Sequence, residues 1–168
     1  LQQGASFDIM LLGSGSIRLK EMGPLVRFQD LKECLPYDDG LYLVTVSGSQ
    51  LRRMMSHVLR EEAFRPDGHT EFYQVSGNLH MVWSRSKQQF ESFTFNGHAV
   101  ADDDLLRIGL QRFHFVNFGE FFQISPEEVS RNAPMRMIAT SSFSIVQEAL
   151  EKSSGFDAAA LDRIRILE

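Results

Sequence analysis

Residues 41–64, LYLVTVSGSQLRRMMSHVLREEAF, change hydrophobic period within a few positions, and that change decides the fold class. LYLVTVS at 41–47 is apolar and β-branched, the pattern of a strand. Gly48-Ser49 follows, and over residues 50–64 Leu51, Met54, Met55, Val58 and Leu59 fall at helical spacing. Ser49 is the expected N-cap of that helix, because its hydroxyl can accept an otherwise unpaired first-turn N–H. RPDGHT at 65–70 is a loop by composition, and beyond it the chain does not return to a strand–helix alternation. It runs instead through EFYQVS, LHMVWS, FESFTF and LLRIGLQRFHFVNF, a series of strands between 71 and 118. Asn96-Gly97 lies between two apolar stretches and signals a hairpin, since both residues tolerate positive φ. The fold class is therefore α+β, rich in antiparallel strands, and not a regular βαβ series.

Upstream, FDIMLL at 7–12 reads as a buried strand that ends in Gly13-Ser14-Gly15-Ser16. Phe28, Leu31 and Leu35 mark one face of a short helix over 28–35, which Pro36 stops. Downstream, Ser125-Pro126-Glu127-Glu128 has the form of a capping box with proline at the first helical position. MRMIAT at 135–140 is a further strand candidate. Residues 142–154 place Phe143, Val146, Ala149 and Leu150 on one helical face, with Gly155 as the stop. RIRILE at 163–168 alternates like an edge strand. No repeat, low-complexity tract or linker divides the chain, so residues 1–168 are expected to form a single domain.

The chain has 168 residues, with Lys+Arg 17 against Asp+Glu 22 and a formal charge of −5. That acidic balance disfavours a nucleic-acid binder, which would carry a basic excess. A single cysteine, Cys34, excludes an intrachain disulfide framework and any multi-cysteine zinc site. No stretch approaches the roughly 18 apolar residues needed to span a membrane. The chain opens on Leu1 rather than Met and is expected to be a processed or excised piece. Phenylalanine is in surplus, 14 residues against 3 Tyr and 1 Trp.

Few motifs carry chemistry. Gly13-Ser14-Gly15-Ser16-Ile17-Arg18 follows a strand, and exposed backbone N–H groups there could hold an anion. The loop lacks the Gly-Lys-Ser/Thr ending of a Walker loop and the third glycine of a dinucleotide fingerprint. A ligand loop and a plain glycine-serine turn both stay open. The five histidines, His57, His69, His80, His98 and His114, are scattered without a close pair, so a metal site is not expected. Asp102-Asp103-Asp104 reads as a charge run in a solvated turn. There is no Gly-x-Ser-x-Gly elbow, and Cys34 beside an apolar helix face reads as a buried packing residue. No residue is named as catalytic.

The remaining candidate is the ring cluster Phe113, Phe115, Phe118, Phe121 and Phe122. On a strand, Phe113 and Phe115 share one face and Phe118 takes the other. Most of these rings are expected in the core. Phe118 differs because it sits in Asn117-Phe118-Gly119, where strand gives way to loop. A ring there can stack on a planar ligand, worth about 1–3 kcal/mol for a base.

Taken in order, these motifs resemble the C-terminal domain of the 5′-nucleotidase / UDP-sugar hydrolase / 2′,3′-cyclic-nucleotide 2′-phosphodiesterase family. Phe7-Asp8-Ile9 through Ile17-Arg18 resembles "aDiallNGGgIR", and Phe28-Gln29-Asp30-Leu31 with Leu35-Pro36-Tyr37 resembles "dl..vlPF". Val44 to Leu51 is similar to "velTGaqL", Gln74-Val75-Ser76-Gly77 to "qvSGl", and Phe95-Asn96-Gly97 to the "vnGkpl" hairpin. Asn117-Phe118 resembles "tnF", and Arg163-Ile164 the terminal "gRI".

The resemblance implies a layered α/β/β/α domain with mainly antiparallel or mixed sheets, serving as the nucleotide- or nucleoside-recognition domain of a metal-dependent phosphoester hydrolase. It implies Tyr37 and Phe118 as the two rings that sandwich a base, and Arg18 as the arginine that contacts the nucleotide. Catalysis, and the divalent metal pair that supports it, are expected only in an N-terminal metallophosphoesterase domain. That domain is the implied partner, and this chain alone is expected to hold no cofactor and to be inactive. Members of the family are often exported from bacteria. Two departures stand out: Gly13 replaces the asparagine that opens "NGGgIR", and Phe121-Phe122-Gln123-Ile124 replaces the "GGDG" stretch that supplies a ribose-binding aspartate. They leave an alternative, a binding or structural module of the same fold that no longer grips a nucleotide.

Overall fold

Strand ends, more than strands, organise this protein. The computed structural model describes residues 7–76, 78–153 and 162–168. Five strands form one sheet in the order β3 (Tyr73–Val75), β1 (Ile9–Gly13), β7 (Leu105–Gln111), β2 (Leu41–Ser47) and β8 (Arg136–Ala139). β1 runs parallel to β7, and the other neighbours in this sheet are antiparallel. A second sheet orders β6 (His98–Ala99), β5 (Gln89–Phe95), β4 (Leu79–Ser84) and β9 (Ile164–Leu167), with β9 parallel to β4 at its edge. The α+β class with two mixed sheets is thus what the molecule adopts.

The core lies where α2 (Gly48–Val58) packs against both β2 and β5 and against α4 (Phe118–Phe122). Leu51, Met54, Met55 and Val58 of α2 are buried with Ile9, Leu11, Val44, Val46, Ile108 and Leu110 of the larger sheet. Full burial of such a side chain contributes about 1.5–3 kcal/mol, so this cluster outweighs any single polar contact.

The cap of α2 is Ser47 and not the expected Ser49. Ser47 ends β2 in an extended conformation (φ −77°, ψ 161°), its Oγ accepts from the Gln50 amide, and the Gln50 side chain accepts from the Ser47 amide. The strand therefore hands over directly to the helix, and Gly48 is its first residue. A Cβ at Gly48 would run into the Ala101 carbonyl, which is why the turn needs glycine here. The helix ends at Val58, followed by one 3₁₀ turn over Glu61–Phe64, so it is shorter than its apolar spacing suggests.

The expected long strand over 105–118 is the larger correction. β7 stops at Gln111, and the chain continues as α3 (Arg112–Val116) and then α4. The break has a physical cause in the neighbouring loop. The Arg112 amide donates to the Gly40 carbonyl at 2.7 Å, and the Phe113 amide to Asp39 Oδ2 at 2.6 Å. The first bond is the last in-register rung of the β2–β7 ladder, and the second gives the Phe113 amide to a side chain, where the ladder ends.

Other elements follow their local signals. α1 covers Phe28–Cys34. Asn96 (φ 51°) and Gly97 (φ 79°) make the two-residue hairpin between β5 and β6. Ser125 caps α5 (Pro126–Ser130) by accepting from the Glu128 amide, while the Glu128 carboxylate turns away to Arg53. α6 covers Ser142–Lys152, and its expected stop at Gly155 lies outside the described residues.

Because Ser47 carries the reciprocal cap, Ser47→Ala is expected to lower stability by about 1 kcal/mol. Ser49→Ala should stay within about 0.5 kcal/mol. Urea denaturation of both variants checks the assignment, and equal losses would contradict it.

Candidate ligand cavity at the strand ends

Parallel pairing brings the C-terminal ends of β1 and β7 to one edge of the sheet. The antiparallel neighbours β2 and β3 begin at that same edge, with Gly13 opposite Tyr73 and Gln111 opposite Leu41. Four chain segments therefore meet there: the glycine-serine loop after β1, the 36–40 loop before β2, residues 71–73, and the turn after β7. Between them lies a cavity of about 630 Å³.

The first wall is the glycine-serine loop, a single 3₁₀ turn over Ser14–Ser16. Its Gly15 amide donates to Glu71 Oε1 at 2.9 Å, so a carboxylate of this chain occupies an amide that could have met a ligand anion. Ser16 Oγ donates to Gln111 Oε1 at 2.8 Å, tying the loop to the end of β7. Arg18 leaves the loop and reaches the 36–40 segment. Its Nη2 donates to the Tyr37 hydroxyl at 2.8 Å, and its guanidinium carbon lies 5.2 Å from the Tyr37 ring centre.

The second wall comes from α3. Phe113 is 56% exposed, and Asp39 fixes its backbone through the short amide contact. Asp39 also accepts from the Gly40 amide, and Asp38 Oδ1 accepts from the Phe143 amide at 3.2 Å. Behind Phe113 lie His114 (5.3 Å between ring centres) and Phe121 (5.6 Å), which are 5.2 Å from each other.

The floor is a buried polar pair. The Tyr73 hydroxyl and His114 Nδ1 are 2.8 Å apart, with both side chains almost fully buried. Burial, reinforced by the negative charge of Glu71, pushes the Tyr73 phenol far above its ordinary range, so it keeps its proton. Burial lowers the His114 pKa, although Glu71 and Asp39 pull it the other way. The protonated phenol and the imidazole share this hydrogen bond. Gly13 faces the other ring nitrogen: a Cβ there would sit 2.5 Å from His114 Nε2 and 2.7 Å from Glu71 Oε1. A side chain at this position, where the resembling motif has asparagine, would force His114 and Glu71 to shift.

Of the three residues singled out from the sequence, the structure brings Arg18 and Tyr37 together on the cavity and does not bring Phe118 to them. Phe118 is 1% exposed, sits in α4 and packs on Phe122 in the core. The early end of β7 accounts for this, because the short helix α3, not a straight strand, precedes Phe118. The exposed ring on the cavity is Phe113, which a strand reading places among core rings. Its signal was the polar Gln111-Arg112 pair immediately before it. Asp38, Asp39, Glu71 and His114 also line the cavity, brought there by long-range pairing. Among the described residues no group of His, Cys, Asp or Glu side chains is arranged to hold a metal ion.

A domain of this fold has known counterparts. Residues 1–124 match the family of 5′-nucleotidase C-terminal domains, and the chain belongs to that family. Its fold is similar to a 5′-nucleotidase precursor from Thermus thermophilus, at 18% identity and a TM-score of 0.76 over 96% of this chain and 32% of that one. The NAD nucleotidase of Haemophilus influenzae matches at 13% identity and a TM-score of 0.73, over 95% of this chain and 30% of that one. A sulfate thiohydrolase of Thermus thermophilus matches at 11% identity and a TM-score of 0.62, over 96% and 29%. At these identities the likeness is one of fold, and the chain spans about a third of the length of each structure. No curated protein sequence matches the chain.

Burial separates the two rings sharply. Phe118→Ala is expected to cost about 3–5 kcal/mol, the range for a fully buried phenylalanine. Phe113→Ala should change stability by no more than about 0.5 kcal/mol. Chemical denaturation decides, and a larger loss at Phe113 than at Phe118 would reverse the assignment.

Proposed function

We propose that this domain is the nucleotide-recognition half of a metal-dependent, 5′-nucleotidase-like phosphoester hydrolase, and that the cavity takes the nucleoside base at Tyr37 and Phe113. The observation that carries this reading is the pair of exposed rings. Tyr37 and Phe113 are 53% and 56% exposed, line the same cavity and are not stacked on one another. Large aromatic faces held in water by a rigid backbone are suited to a planar ligand, which would cover them. Arg18 steadies Tyr37 and keeps N–H groups free for a ligand oxygen, for which its planar fork is suited. Membership of the family supports a nucleotide as the ligand class.

Bond cleavage is assigned to an N-terminal metallophosphoesterase domain with its metal pair, since the sequence here names no nucleophile and no metal-ligand set. In that arrangement this chain binds and orients, and by itself turns over no phosphomonoester. A second reading, a module of the same fold without nucleotide binding, has one observation in its favour. Glu71 already occupies the Gly15 amide that a ligand anion would use.

Isothermal titration of the parent protein with nucleosides and nucleoside monophosphates tests the two. The nucleotide reading expects saturable binding that Tyr37→Ala or Phe113→Ala weakens by about 5- to 150-fold, the equivalent of one lost stacking contact. No binding of any nucleoside or nucleotide by the folded protein would support the second reading and refute the first.

A further inference from the structure

The charge around the two rings is one-sided. Asp38, Asp39 and Glu71 line the cavity, and Arg18 is the one lysine or arginine among its described lining residues. None of the three carboxylates forms an ion pair among the described residues; each is held by backbone amides. Glu71 Oε1 accepts from Gly15, Asp38 Oδ1 from Phe143, and both oxygens of Asp39 from Gly40 and Phe113. Glu71 Oε2 and Asp38 Oδ2 are left without a donor among the described residues. His114 does not offset this charge, because its burial keeps the imidazole neutral. Arg18 is engaged with the Tyr37 hydroxyl and ring.

A cavity with aromatic faces and surplus carboxylates attracts positive charge twice. The π-face of an aromatic ring draws a cation electrostatically, and a nearby carboxylate adds Coulomb attraction. The Gly15 amide, which could have met an anion, is filled by Glu71 itself. We propose that this cavity selects planar heteroaromatic rings carrying a positive charge over neutral rings of the same shape, with Glu71 and Asp38 as the selecting residues. The proposal rests on the reading that the cavity takes a planar base, and it specifies the electrostatic class of that base.

A pair of nucleosides that differ at the exocyclic group on C6 contrasts a cationic ring with a neutral one. 1-Methyladenosine is cationic at neutral pH, whereas 1-methylinosine has the same ribose, ring system and N1-methyl group and is neutral. Titration of both into the parent protein, with chelator present, should show 1-methyladenosine binding about 3- to 30-fold tighter, the span of a cation–π contact. Combining Glu71→Gln with Asp38→Asn, which keep the shape and the amide-accepting oxygens, should shrink that preference by weakening 1-methyladenosine, leaving only the part the ring faces supply. Binding of both nucleosides with equal affinity, or preference for the neutral one, overturns the selectivity while the base-binding reading stands. Binding of neither nucleoside by the folded protein overturns both. A preference that is undiminished in the double variant overturns the assignment to Glu71 and Asp38.

Discussion

The site depends on one point where an added side chain would force its neighbours to shift. At Gly13 the end of β1 comes so close to His114 and Glu71 that a single added carbon would overlap both. That approach lets β3 pair with β1 down to its last residue, with Gly13 opposite Tyr73. It also sets the buried Tyr73–His114 hydrogen bond beneath the cavity and the Gly15–Glu71 contact beside it. Parallel pairing of β1 with β7 then fixes where the chain leaving β7 must turn, and so where Phe113 is presented. A bulkier residue at 13 would displace the histidine floor or the glutamate, and with them the walls they support.

The surplus of phenylalanine resolves into layers. Phe118 and Phe122 belong to the core under α2, Phe115 stacks on Tyr42 at 4.1 Å, and Phe121 forms a bracket with His114 behind Phe113. Phe113 alone of this run both touches the cavity and is exposed. Where the resembling domains have a glycine-rich stretch, Phe121 backs the exposed ring and Phe122 packs on Phe118 in the core.

Much of the fold was legible because it is written in local periodicity. β2, β4, the Asn96-Gly97 hairpin and the Ser125 cap sit where the sequence puts them. The misread segment, 112–118, fails for a physical reason. Its alternation of rings suits a strand, but the amide of Phe113 is captured by the Asp39 side chain, some seventy residues earlier in the chain. Local pattern cannot register a partner at that separation. Of the candidate cavity's lining, Arg18 and Tyr37 stand out in short motifs, whereas Phe113, Glu71 and His114 are brought in by strand pairing. The burial of Phe118 and the exposure of Phe113 follow directly from the misread segment.

The most direct test of the account is where a nucleoside perturbs the protein. Backbone amide chemical shifts followed during titration of the labelled protein with adenosine locate the contact without any substitution. The account predicts saturable shifts centred on Gly15, Arg18, Tyr37 and Phe113, with Phe118 and its neighbours in α4 unmoved. Shifts centred on α4, or binding that leaves the 36–40 loop and α3 unchanged, would contradict it.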